Sequence, residues 1–174
     1  MQAARKKARV IHHAQEAKAS HKARGKIHYL HLAGMVGAHF VVMYALMYVM
    51  VDSFADVFLN ANNFYMSGAM AAPMAILMLL FMKSMYPDAR MNAAVYAVSA
   101  VLLIAFIWFT RQQTFVGNEQ FVKSMIPHHS GAILMCREAT ITDPELKSLC
   151  ARIITSQQEE IDQMKAILAR LTNP

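Results

Sequence analysis

The chain has 174 residues, and 56% of them are hydrophobic, but the apolar residues are gathered between Leu30 and Phe109 and flanked by polar ends. That distribution argues against an ordinary soluble globule and for a membrane protein. The net charge of +6 is equally uneven: residues 1–34 hold eight Lys/Arg and one acid, and no recognition module accompanies them, so no nucleic-acid partner is expected.

Residues 1–29 read as a basic cytoplasmic arm. Its charged part is too long for a signal peptide, and the apolar stretch after it has full span length, so it is read as retained. The region 30–111 reads as three membrane spans. The first, from about Leu30 to Val51, has no Lys, Arg, Asp or Glu, and crossing about 30 Å of hydrocarbon takes about 20 helical residues. The second runs from about Tyr65 to Met82. Gly68, Ala69, Ala71 and Ala72 make it suited to close helix packing, and Pro73 is a candidate kink. The third covers about Ala93 to Phe109, with Trp108 at an interface. The loop from Asp52 to Phe64 has no Lys or Arg. By the positive-inside rule the N-terminus is then cytoplasmic and everything after Arg111 lies outside. This makes the chain a multi-pass protein of the inner membrane, with the bilayer as partner and residues 112–174 in the periplasm.

Those last residues read as a helical hairpin. The first helix covers about Gln113 to Glu138, with Pro127 as an internal kink. Asp143 is a good N-cap, Pro144 suits the first helical position, and Glu145 favours the positive end of the helix dipole. The second helix continues to about Leu171, with Leu149, Ile153, Ile154, Ile161, Met164 and Leu168 at helical spacing. Two helices enclose little core, so the hairpin is expected to pair with another into a four-helix bundle, making a homo-oligomer.

The candidate chemistry lies in Met125-Ile126-Pro127-His128-His129, followed by Met135 and Cys136. Fifteen methionines invite two readings, adaptable packing and soft-metal handling. Imidazole and thioether on one helical face suit copper(I). A lone histidine here would read as a solvated polar residue; a pair flanked by Met125 and Met135 favours metal. A hairpin turning at Asp143 sets residues whose numbers sum to about 286 side by side, so His128 and His129 lie opposite Gln157 and Gln158, and Met125 opposite Ile161 beside Met164. Cys136 and Cys150 are each seven residues from Asp143 and face each other. A disulfide is the preferred reading outside the cytoplasm, and a pair of copper thiolates is the alternative.

The run Phe121-x3-Met125-Ile126-Pro127-His128-His129-x2-Ala132-Ile133-x-Met135, followed by Ile154-x2-Gln157-x2-Glu160-Ile161-x2-Met164, resembles the CopM-type family, once known only as a domain of unknown function. The resemblance covers roughly residues 115–171, and the three-span region is similar to membrane-anchored members. It implies a ferritin-like helical fold and copper binding or tolerance, with no catalytic activity. Carried over by motif, it points to Met125, His128, His129, Met135 and Met164 as copper(I) ligands, with Gln157 and Glu160 as residues that orient the ligands or support the helices. Cys136 stands where many members have a small residue.

Met66, Met70, Met74, Met78 and Met82 recur every four residues in the second span, and Met43, Met47 and Met50 mark the first. Such a stripe is more often packing surface than a copper path. A ferritin-type di-iron site needs Glu-x-x-His pairs, and the chain has none. Ser130 beside His129 has no accompanying acid in sequence for nucleophilic hydrolysis. The expected function is therefore a non-enzymatic, membrane-anchored protein that sequesters copper or hands it to partner proteins. The alternatives are a membrane scaffold whose hairpin mediates oligomerisation and, less favoured, a haem subunit with His and Met axial ligands. A neutral imidazole is needed to bind metal, so affinity is expected to fall below about pH 6.5.

Overall fold

The computed structural model describes residues 27–173, so most of the basic arm lies outside the described residues. Among the described residues every regular element is helical. Three long helices, α1 (Ile27–Leu46), α2 (Ala61–Phe81) and α3 (Ala89–Gln112), are apolar and long enough to cross a membrane. They are followed by α4 (Asn118–Glu138) and α5 (Pro144–Thr172). The chain is a multi-pass membrane protein with a helical C-terminal hairpin.

The helix ends are set by capping side chains. Asn60 starts α2 by accepting from the Asn63 amide at 2.8 Å. Asp88 starts α3 by accepting from the Arg90 and Met91 amides, and Asp143 caps α5 through the Leu146 amide at 2.8 Å. Each satisfies an amide that the first helical turn leaves without a partner.

Several boundaries differ from the sequence reading, α2 and α3 each beginning a turn earlier than it placed them, and two of the differences bear on the hairpin. The first span ends as a helix at Leu46, and Met47–Met50 follow as turns with i→i−3 bonds such as Val49 N–H to Leu46 O. The apolar run continues past that point, but the chain is turned there by tertiary bonds: the Tyr48 hydroxyl donates to Phe58 O at 2.9 Å. Residues 113–117 are not helical either. Gln113 and Phe115 have φ of 50° and 59°, which breaks the chain between α3 and α4. Pro127 does lie inside α4.

Inside the spans, α2 buries Tyr65, Gly68, Ala72, Ala75 and Leu79 at alternating three- and four-residue steps, with Ser67 and Ala71 buried beside them. Small residues along it let α3 approach closely. A Cβ on Gly68 would stand 2.5 Å from the Phe106 ring. At the far end, Leu32, Leu79 and Tyr86 form a cluster with Met78, Met82 and Tyr29 against it. The methionine repeat of α2 is not one face. Each four-residue step advances the side chain by about 40°, so Met66 and Met82 differ by about 160°.

The hairpin has its own core of Val122, Ile126, Ile133, Ile161 and Leu168, with Ile154, Met164 and Ile167 packed on it. Phe58, from the loop between the first two spans, covers this core as well. The loop thus supplies cover that a bare helix pair lacks.

Gly68→Ala is expected to lower thermal stability in detergent by about 1–3 kcal/mol through overpacking, and Phe106→Leu in the same chain should recover part of it. Wild-type melting of the single variant would show that α2 and α3 do not close at this point.

Candidate functional site

The end of the spans and the hairpin meet along α4. Near its start, the Gln120 Oε1 accepts from the Ala61 amide at 2.9 Å, and Ser124 Oγ accepts from Asn62 Nδ2 at 3.1 Å. Further along, the chain beyond α1 passes over Gly131. A Cβ there would lie 3.4 Å from Met50 O. α4 therefore crosses from the first turn of α2 to the end of the first span.

Between these contacts lies a cleft of about 370 Å³. Its walls include Met47 and Met50 from the first span's end, Met125, His128 and Met135 from α4, and Asn62, Asn63 and Ser124. Met125, His128, Ala132 and Met135 follow at steps of three and four on one face. No carboxylate is among the lining residues. Four thioethers and one imidazole are the donors offered, with amide and hydroxyl groups beside them. This donor set fits a soft monovalent cation such as copper(I) and offers little to a hard cation that prefers carboxylates. Among the described residues, no three His, Cys, Asp or Glu side chains are grouped to hold a metal.

The sequence-selected ligands are thus divided. Met125, His128 and Met135 share the cleft. His129 is buried on another face, with Nδ1 2.8 Å from Met125 O and Nε2 2.7 Å from Glu160 Oε2. A carbonyl oxygen only accepts, so Nδ1 carries a hydrogen, and the nitrogen left for a metal faces the Glu160 carboxylate instead. Met164 packs on the hairpin core. Gln157 is half-buried on α5, one turn before Glu160. His39 in α1 is half-buried and outside the cleft walls. Cys136 and Cys150 are joined by a disulfide, their Cα atoms 5.2 Å apart.

Polar residues that the motif does not contain hold the cleft together. Asp56 is 5% exposed. Its carboxylate accepts from Ser130 Oγ and from Lys165 Nζ, both at 2.6 Å. Ser130 Oγ in turn accepts from the Asp52 amide at 2.9 Å, and Arg137 pairs with the Asp52 carboxylate. The loop carrying Met50 is therefore fastened to both helices of the hairpin. The sequence signal for this was slight: two acids in a loop without Lys or Arg, facing a hairpin of near-balanced charge.

Fold and site define a multi-pass membrane protein whose C-terminal helical hairpin builds a methionine-lined cleft with the end of its first span. Residues 110–168, the hairpin and its approach, match the family model described as a domain of unknown function, DUF305. The chain is 34% identical over 137 residues to the uncharacterized protein L153 of Acanthamoeba polyphaga mimivirus, which takes in 77% of this chain and 88% of the viral one. The chain belongs to the same family as that viral protein and carries the DUF305 domain. Neither description names a metal. No solved structure matches the chain.

Asp56→Ala leaves the buried Ser130 hydroxyl and the half-buried Lys165 ammonium without their acceptor. It is expected to cost about 2–3 kcal/mol and to raise hydrogen exchange of residues 52–60 selectively. Unchanged exchange there would show that the loop is held by something else. Replacing Cys136 and Cys150 with serine should lower hairpin stability by about 3 kcal/mol, from the entropy of the released loop.

Proposed function

We propose that this protein binds copper(I) as cargo in the cleft between span and hairpin, and sequesters it or passes it on in the cell envelope. The observation that carries this reading is the wall composition: Met47, Met50, Met125, Met135 and His128 around one cavity with no carboxylate among them. Thioethers keep their donor strength at any physiological pH and prefer a soft, singly charged ion. His128 is exposed, so it is free to turn onto an ion at the mouth. The resemblance of the hairpin motif to the CopM-type family points the same way.

Sidedness belongs to the same proposal. Eight Lys/Arg precede the first span's apolar run, and the loop on its other side has none, which supports a cytoplasmic N-terminus. The hairpin then faces the periplasm of a Gram-negative cell, where its disulfide is stable.

The test is competition for copper(I) between a chromophoric chelator and the full-length protein in detergent. Wild type should withdraw the ion. Met47→Leu with Met50→Leu, and separately Met125→Leu with Met135→Leu, should each weaken binding by about tenfold or more, about 1.4 kcal/mol. Met164→Leu should leave binding unchanged. His128→Ala should remove the part of the affinity that falls with acid, because only neutral imidazole binds. Failure of wild type to compete, or loss of binding in Met164→Leu alone, would overturn the assignment. A protein that ignores copper but forms a stable multimer would instead be a scaffold, drawing on the exposed Leu146 and Leu149 of the hairpin.

A further inference from the structure

The root of the hairpin carries apolar side chains that the protein does not cover. Leu59 is 68% exposed, Phe115 84% and Phe121 51%. They lie just before α2, in the linker after α3 and in the first turn of α4 respectively. These three places come together at the same end of the spans. The Tyr65 hydroxyl, one turn inside α2, donates to Thr114 O at 2.7 Å, and the Asn62 and Gln113 side-chain amides bond each other at 3.0 Å. The linker is thereby held at the depth of the first turns of α2.

Phe115 is held there in a left-handed conformation, φ 59°, which a bulky residue seldom adopts and which persists only when its surroundings over-determine it. Its backbone is fixed by its neighbours while its ring is turned outward. Facing water, that ring would gain nothing from the arrangement. The segments 57–60 and 112–117 contain no charged residue, but they do hold Asn60, Gln113 and Thr114. This mixture of aromatic, aliphatic and amide groups suits the boundary between headgroups and acyl chains.

We propose that Leu59, Phe115 and Phe121 form a seat in the lipid bilayer interface, on which the root of the hairpin rests. The occupant is lipid because the surface is continuous with the ends of three membrane spans. The seat fixes the height of the cleft above the hydrocarbon, and it holds whether or not the cleft binds a metal.

The test uses the full-length protein in phosphatidylcholine vesicles, with Trp108→Phe to remove the natural indole. Single tryptophans are then introduced by Phe115→Trp, Phe121→Trp and, independently, Leu59→Trp. Circular dichroism checks that each variant keeps its helices. Expected is blue-shifted emission at all three positions, quenched by lipids brominated near the headgroup and protected from aqueous iodide. Water-like emission quenched by iodide alone would overturn the proposal. So would blue emission that neither quencher reaches, which would place a second protein copy on these residues.

Discussion

One carboxylate joins the two halves of this molecule. Asp56 belongs to the loop between the first two spans, yet its oxygens are taken by Ser130 on α4 and Lys165 on α5. Removing a carboxylate from water is costly unless it is paired and hydrogen-bonded, and here both conditions are met by the hairpin alone. The loop is thus committed to the hairpin, and Phe58, two residues on, goes with it into the hairpin core. Without this attachment α4 and α5 would have one open apolar side, and Met47 and Met50 would have no reason to stand over α4.

The cleft is a consequence of that attachment. One wall is the turn that follows a membrane helix and the other is the hairpin, so its shape depends on contacts distant in sequence. Ser130, fully buried, accepts from the Asp52 amide and donates to Asp56, and its neighbour Gly131 lies against the Met50 carbonyl. Polar groups on one side of α4 thus position thioethers on another. His129 contributes in the same manner. Bound to the Met125 carbonyl and to Glu160, it ties α4 to α5 directly behind the cleft-lining Met125 and His128.

Much of the architecture was legible in the sequence because it rests on local signals. Span length and composition mark α1 to α3. The Asp143-Pro144 pair marks the start of α5, since an N-cap and a first-turn proline act within a few residues. The seven-residue spacing of each cysteine from Asp143 indicates which positions face each other near the turn. Further from the turn the same counting slips. It sets His129 opposite Gln157, whereas the partner is Glu160, one turn further along the same face of α5. The end of the first span was illegible for a different reason: Met47 to Val51 are as apolar as the helix before them, and only the tertiary bonds of Tyr48 and Asp52 turn the chain. Met47 and Met50 were therefore read as part of a membrane stripe rather than as a wall of the cleft.

The geometry also separates two uses of methionine that composition merges. Along α2 the residues from Met66 to Met82 wind about 160° round the helix, and Met78 and Met82 end in an apolar cluster with Leu32, Leu79 and Tyr86. Their sulfurs fill irregular space, as a flexible thioether does well. The methionines at the cleft differ in surroundings rather than in kind. Met50 and Met135 are about half exposed, and they share a cavity with a histidine and uncharged polar groups. The stripe's periodicity thus gives no single face along α2, and the thioethers that share one cavity are those at the junction that Asp56 holds closed.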